Sequence, residues 1–186
     1  NRYKQKSIYK AALIAYHYTE DFEKALKYYK QSELISGDAG ELFQSQYGAL
    51  KSAFRLAKNQ DIIDYGKKVI QNTAATKDER SAAHYYLAKT YLKMGETENA
   101  IPSLTFVDQN TNNNQGAESR YLLAEIQFNK KDYSLAEQQC HYANEKNANY
   151  PYWIAKSLLL IADIYYQKED LLNARAAVEA VLENFV

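Results

Sequence analysis

The sequence predicts an all-α protein built from repeated pairs of antiparallel helices. A unit of one helix, a tight polar turn and a second helix recurs five times in the 186 residues. Only two prolines interrupt this pattern. Aligned on one position of the second helix, the units lie 40, 35, 36 and 38 residues apart, with the markers Ala25, Tyr65, Ala100, Ala136 and Ala174. This period indicates a helical repeat array, in which each unit packs mainly on its neighbours.

Turn-forming residues separate the ten predicted helices. Pro102 and Pro151 fall in first turns, where a missing N–H costs nothing. The Asn-rich run 110–115 predicts a longer solvated connection between the third and fourth repeats, with a functional loop as the alternative. The predicted helices span residues 3–18, 21–35, 39–58, 60–72, 78–94, 97–108, 115–130, 133–146, 151–168 and 170–184. They pair into repeats at residues 3–36, 39–74, 78–109, 115–147 and 151–185, which together form one predicted solenoid domain.

Small residues and acidic caps shape each predicted pair. Alanines on first helices allow close crossing with the small marker residue of the second helix. These alanines are Ala53, Ala88, Ala124 and Ala162. An aspartate before the second helix is expected to accept a hydrogen bond from a free backbone N–H there. These caps are Asp21, Asp61, Asp132 and Asp170.

Composition excludes several classes of function. The 23 basic residues balance 23 acidic ones, so nucleic acid and anionic membranes are disfavoured as partners. The longest apolar run, residues 157–162, is too short to span a bilayer. A single cysteine, Cys140, rules out an internal disulfide. Because the chain starts at Asn1 and not at Met, we expect it to be part of a longer protein, and its compartment stays open.

No pattern of residues predicts an enzyme, a metal site or a cofactor. His17, His84 and His141 lie in three different units, and none is spaced for shared ligation with another histidine or with Cys140. We expect His84 and Cys140 to be packing residues. First-turn carboxylates such as Glu23 favour helix starts over acid–base chemistry.

The unit resembles the tetratricopeptide repeat, whose signature has Leu, Gly or Ala, Tyr, Gly, an aromatic and Ala in that order. The stretch from Leu87 to Ala100 matches it well, and the resemblance covers nearly the whole chain. The second repeat departs from this signature at Tyr65, and the fourth repeat departs at Gln127. The stretches 121–126 and 159–172 are similar to bacterial envelope-associated repeat proteins, and the abundance of Tyr, Asn and Lys resembles Bacteroidetes-type members.

The resemblance implies a right-handed superhelix whose concave groove, lined by first helices, binds a peptide or a partner's helix. Tyr and Phe in that groove would supply contact area at low rotamer cost. The alternative for any one Tyr is packing against adjacent helices. The implied groove residues are Lys10, Ile14, His17, Tyr47, Leu50, Phe54, Tyr85, Lys89, Leu92, Tyr121, Glu125, Phe128, Lys156, Leu159, Asp163 and Tyr166.

One subclass of the family grips a terminal carboxylate with Lys and Asn on one first helix, Asn on the next, and Lys and Arg on a third. The matching positions here hold Lys10 and Ile14, then Lys51, then Ala82 and Tyr86. Only Lys10 fits. The resemblance therefore does not imply capture of a terminal carboxylate.

The last predicted helix is apolar on too many sides to be covered by one preceding layer. Its apolar residues include Leu171, Val178, Leu182 and Phe185. A terminal repeat normally has a polar outer face. We therefore expect a homodimer through this helix, or further solenoid beyond Val186.

Taken together, the sequence predicts a non-catalytic scaffold that binds a protein or peptide. The envelope resemblance implies a bacterial envelope complex, periplasmic or outer-membrane-associated in preference to cytoplasmic. The alternatives are a peptide-sensing regulatory domain attached to an effector, and a solenoid that only spaces other domains.

Overall fold

The computed structural model describes residues 2–185, without the side chain of Arg2. All regular structure in this range is α-helical, as predicted, and the chain divides into two compact units at Glu96. That the whole chain forms one solenoid domain stays a prediction. Unit 1 contains α1 (Arg2–His17), α2 (Phe22–Leu34), α3 (Ala39–Arg55), α4 (Asn59–Gln71) and α5 (Lys77–Lys93). Unit 2 contains α6 (Thr97–Asn110), α7 (Asn114–Asn129), α8 (Tyr133–Lys146), α9 (Pro151–Gln167) and α10 (Leu171–Phe185).

Within each unit, every helix packs against the next one along the chain. The first helices of successive pairs also touch, α1 with α3 in unit 1 and α7 with α9 in unit 2. Small side chains of the predicted set are fully buried, namely Ala53 and Ala88 in unit 1 and Ala124 in unit 2. First helices therefore form one layer of each unit and second helices the other.

In each of the five helix pairs, one described residue with a left-handed backbone conformation lies in the turn between the two helices. These residues are Glu20, Ala57, Gly95, Lys131 and Glu169, with φ between 50° and 76°. The residue five positions later is the marker position, and in repeat two this residue is Ile62. The markers Ala25, Ile62, Ala100, Ala136 and Ala174 are then 37, 38, 36 and 38 residues apart, a more regular spacing than Tyr65 gives. The predicted register of repeat two was wrong by three residues.

The cause of this error lies at the end of α3. The helix was predicted to reach residue 58 but ends at Arg55, because Ala57 takes the left-handed conformation that glycine usually supplies. Lys58 precedes α4, and the predicted cap Asp61 instead lies inside α4, where it accepts a hydrogen bond from Lys30 at 2.5 Å.

The other three predicted caps are confirmed. Asp21 and Asp132 accept from backbone N–H groups three residues later, at 3.0 and 3.1 Å. Asp170 does the same at 3.2 Å. Each satisfies one N–H that the helix itself leaves without a partner.

The Asn-rich run forms a shorter connection than predicted. The helix α6 continues to Asn110 and α7 starts at Asn114, so three residues join them. Asn113 caps α7 by accepting from the N–H of Gly116 at 3.0 Å. A Cβ on Gly116 would lie 2.6 Å from Oγ1 of Thr111 and 2.8 Å from its carbonyl oxygen, so this tight connection requires glycine. The predicted place of Pro102 in the first turn of α6 was wrong, because Pro102 is the sixth residue of this helix and lies inside it.

Candidate peptide-binding faces

Three positions on each first helix, at 15, 11 and 8 residues before the marker, share one side of the helix because they are spaced by four and three residues. We call them the first-helix face. In the observed register they are Lys10, Ile14 and His17 in α1, Tyr47, Lys51 and Phe54 in α3, Tyr85, Lys89 and Leu92 in α5, Tyr121, Glu125 and Phe128 in α7, and Leu159, Asp163 and Tyr166 in α9.

One predicted groove residue is displaced by this register. Leu50 is 0% exposed and belongs to the core, so its prediction as a groove residue was wrong. Lys51 takes its place on the face. The displacement follows from the error in repeat two, because a shift along a helix rotates side chains by about 100° per residue.

The remaining predicted groove residues differ in how far they reach solvent, and their role in binding stays a prediction. Tyr166 is 64% exposed, whereas Tyr121 is only 7% exposed and presents little more than an edge. Lys10, His17 and Asp163 are exposed. The half-buried members are Tyr47, Phe54, Tyr85, Lys89, Leu92, Glu125, Phe128 and Lys156.

Aromatic rings surround Lys51 on the face of unit 1. Its Nζ lies 4.8 Å from the ring centroid of Tyr47 and 5.4 Å from that of Tyr16 on α1. One turn further along α3, the ring of Phe54 stacks on Tyr86 of α5 with centroids 4.2 Å apart. Ammonium groups over aromatic faces are held by the ring quadrupole. Three first helices thus contribute to one aromatic surface with a lysine at its centre.

The electrostatics of Lys51 are those of a cation removed from water. Burial lowers its pKa, and the field of Glu79 acts in the opposite direction. Glu79 is itself occupied at the start of α5, where it accepts from the N–H and hydroxyl of Thr76 at 2.9 and 2.7 Å. Burial also raises the pKa of Tyr47 to about 12. Among the described residues, no carboxylate forms an ion pair with Lys51.

A pocket of about 250 Å³ adjoins this surface in unit 1. Phe54 and Ile62 give it an apolar side, and Lys89 and Lys93 of α5 lie on its rim. Phe54 and Lys89, predicted separately as groove residues, are therefore brought together.

The face of unit 2 carries acids in place of lysines. Glu125 accepts a hydrogen bond from the Tyr121 hydroxyl at 2.7 Å. The Tyr121 ring lies 5.7 Å from the ring of Trp153 on α9, and Nζ of Lys156 lies 4.9 Å from its centroid. Asp163, one turn after Leu159, is exposed.

Sequence reasoning did not place two members of these surfaces, Tyr16 and Trp153, among the groove residues. Each packs against a face residue of the neighbouring first helix. The signal that could have found them is the contact between successive first helices, which places side chains of one helix beside the next.

Residues 2–185 contain no cluster of three His, Cys, Asp or Glu side chains placed to hold a metal ion. None of the helices in this range has both the length and the apolarity to cross a membrane. Cys140 is fully buried, which raises the pKa of its thiol to about 12. Burial lowers the pKa of His84.

The outer side of α10 differs from that of every other second helix. The residues 4 and 7 positions after the marker are buried in α2, α4, α6 and α8, where the next first helix covers them. In α10 the first of these, Val178, is 39% exposed. Phe185 is half-buried, and the exposed apolar residues beside Val178 are Leu171, Leu172 and Leu182.

Comparison with known proteins identifies the repeat. Two family models, both described as tetratricopeptide repeat, match residues 155–184 and 82–105. No curated protein sequence matches the chain.

Solved structures resemble this fold along almost the whole chain. YrrB, described as a TPR protein with an unusual peptide-binding site, aligns with a TM-score of 0.71 and 16% identity over 95% of this chain and 84% of that chain. BtubC from P. vanneervenii aligns with a TM-score of 0.67 and 14% identity over 97% and 90%. A putative kinesin light chain from Podosopora anserina aligns with a TM-score of 0.65 and 14% identity over 98% of both chains.

At these identities the likeness establishes the fold and no more. The fold, the two matched segments and the five left-handed turns agree with one another. The chain is an all-α helical array, and its segments 82–105 and 155–184 match the tetratricopeptide repeat.

Proposed function

We propose that this protein is a non-catalytic scaffold that binds a peptide segment through its first-helix faces. The observation that carries the proposal is the aromatic surface around Lys51, to which α1, α3 and α5 all contribute. Aromatic side chains are enriched at binding interfaces because they offer large contact area with few rotatable bonds. The peptide-binding site of YrrB, a protein of the same fold, supports the same mode of action.

The test is selection of peptides from a displayed library of random 12-residue sequences. The variant Ile14→Ala/Tyr166→Ala removes one exposed apolar side chain from the first-helix face of each unit. We expect it to lower affinity for selected peptides about thirtyfold, which corresponds to the loss of about 2 kcal/mol that defines a binding hot spot. Binding by surface plasmon resonance gives the measurement.

The matched control removes exposed apolar groups from second helices. Leu34→Ala/Leu135→Ala changes one such residue in each unit. Equal loss of affinity in both double variants, or no peptide enriched by the wild-type protein, would contradict the proposal.

The outer side of α10 supports a second contact surface, to which we assign another copy of the chain. Val178 occupies a position that a first helix covers in the other second helices, so a helix from a second copy would continue an established type of interface. Light scattering should then give a dimer for the wild-type protein and a monomer for Leu182→Glu. The exposed control Leu34→Glu should remain dimeric. A monomeric wild-type protein would rule out this surface as a dimer contact.

The bacterial envelope setting belongs to the same proposal and rests on the sequence resemblance alone. Fractionation of cells that produce the native protein would test it. Recovery in the cytoplasmic fraction would favour the regulatory or spacer alternatives.

A further inference from the structure

The balanced composition conceals two units of opposite charge. Residues 1–96 contain 16 Lys and Arg against 11 Asp and Glu, and residues 97–186 contain 7 against 12. Unit 1 therefore has a net charge of +5 and unit 2 of −5, so neutrality of the whole chain says little about either binding face.

Most of the excess positive charge in unit 1 lies on its first helices. The sequences of α1, α3 and α5 contain ten basic and three acidic residues. The second helices α2 and α4 contain five basic and four acidic residues. The layer that carries the aromatic surface is thus the basic layer of the unit.

Lys51 concentrates this charge at one point. A half-buried ammonium group loses part of its hydration, which ring faces only partly replace. An ion pair would restore the lost stabilisation, but no carboxylate of the described residues forms one with Lys51. A carboxylate brought by a ligand would meet a cation that is already held in place by Tyr16 and Tyr47.

The pocket beside Phe54 adds a second feature that a ligand of this face would have to match. Phe54 follows Lys51 by three residues, so both side chains lie on one side of α3. A ligand whose carboxylate reaches Lys51 can therefore place a neighbouring apolar group against Phe54 and Ile62.

We propose that the first-helix face of unit 1 selects acidic peptide segments, with a side-chain carboxylate bound at Lys51 and an adjacent apolar side chain in the Phe54 pocket. This inference rests on the proposed peptide-binding function and names its ligand class. The proposed site requires one lysine between two tyrosines, unlike the terminal-carboxylate grip, whose residues the sequence matches only at Lys10.

The experiment compares peptides that three proteins select from the same random 12-residue library. The wild-type protein should enrich sequences in which Asp or Glu neighbours Leu, Ile or Phe. Lys51→Met should lose this acidic enrichment and bind the wild-type peptides at least tenfold more weakly, as expected for a charged hydrogen bond.

Lys68→Met is the matched control. Lys68 also lies over a tyrosine ring, with its Nζ 4.6 Å from the Tyr65 centroid, but it belongs to a second helix and pairs with Glu33 at 2.8 Å. The Lys68→Met variant removes the same charge from unit 1 as Lys51→Met, and it should bind the selected peptides as tightly as the wild-type protein does. A selected peptide with Gln in place of Glu should lose affinity for wild type but not for Lys51→Met.

The outcomes separate the two proposals. No enrichment by the wild-type protein overturns peptide binding itself. Enriched peptides without acidic residues, or equal effects of Lys51→Met and Lys68→Met, overturn the acidic ligand and leave peptide binding standing. Binding of a mixed-sequence single-stranded oligonucleotide more tightly than any selected peptide would assign the basic face to nucleic acid instead.

Discussion

Unit 1 and unit 2 are built from the same kind of helix pairs and turns, yet their faces differ in charge at one repeated place. Eleven residues before the marker, unit 1 has Ile14, Lys51 and Lys89, whereas unit 2 has Glu125 and Asp163. The packing positions cannot vary in this way because they are buried between helices. A repeat array therefore fixes where a ligand can lie and leaves the chemistry of recognition to a few face residues.

The units also differ in how they hold a carboxylate eight residues after the marker. In unit 1, Glu33 accepts from Gln46, Tyr65 and Lys68, and 44% of the Lys68 side chain is exposed. In unit 2, Asp108 pairs at 2.7 Å with Arg120, which is 4% exposed. One network lies at the edge of its unit, and the other is buried inside.

This difference gives the largest expected effect. Arg120 also donates to Asn147 Oδ1 at 2.9 Å and to the carbonyl oxygens of Asp108 and Thr111 at 3.1 and 2.9 Å. Arg120→Met removes the arginine donor from all these acceptors and leaves the buried Asp108 carboxylate with a hydrogen bond from the Tyr142 hydroxyl but without a cation. We expect a loss of about 3–5 kcal/mol in the free energy of unfolding of unit 2.

Urea denaturation followed by circular dichroism measures that loss. The counterpart in unit 1, Lys68→Met, removes a partly exposed ion pair and should cost only about 0–1 kcal/mol. Similar losses in the two variants would show that the two networks are energetically equivalent, against the structure.

The second effect concerns packing in unit 1. A Cβ on Gly48 of α3 would lie 2.3–2.5 Å from ring atoms of Tyr29, which is itself fully buried. Gly48→Ala should therefore force the ring or α3 to move and cost about 1–3 kcal/mol, despite the better helix propensity of alanine. Thermal unfolding measures this.

Gly37→Ala is the control for Gly48→Ala, because its added Cβ meets only the side chain of Glu41 at 3.5 Å. A Gly48→Ala protein as stable as Gly37→Ala would mean that α2 and α3 do not approach as closely as described.

The smallest expected effect is a pH dependence in unit 1. Burial acts to raise the pKa of Glu33, but hydrogen bonds from Lys68, Gln46 and Tyr65 lower it below its ordinary value. A carboxyl group with a lowered folded pKa stabilises the protein above its unfolded pKa of about 4.3, and this contribution disappears as pH falls through the folded pKa. Stability should thus decrease as the pH falls below about 5.

Urea midpoints of wild type and Glu33→Gln between pH 3 and 7 test this dependence. The difference between the two proteins should be largest near neutral pH and shrink in acid. A difference that stays constant over the whole range would contradict the assigned ionisation of Glu33.

Most of the fold was accessible from the sequence, because helix periodicity, aspartate caps and alanine crossings repeat along the chain. The error in repeat two has a physical cause. Glu20, Lys131 and Glu169 adopt the same left-handed conformation as Ala57, but a capping aspartate follows each of them. Ala57 is instead followed by Lys58, which forms no side-chain cap bond. The marker of repeat two was therefore predicted three residues too late in the chain.

The candidate site was harder to predict from the sequence, because an error of one residue in the register of a helix places different side chains on its face. Moving from Leu50 to Lys51 replaces a core residue with the centre of the aromatic surface. Burial of Tyr121 was equally hidden, since it depends on Trp153 in the next first helix, 32 residues away. Pairs of this kind are fixed by packing between repeats and leave no local signal in the sequence.

The buried Cys140 gives the molecule a reporter of its own motion. It is the only cysteine in the sequence, and it lies in the core of unit 2 among residues of α7, α8 and α9. A thiol with a pKa near 12 and no solvent access reacts with an alkylating reagent only after the surrounding helices separate. The rate of alkylation would therefore measure the opening of unit 2 without any added label, and without a contribution from unit 1.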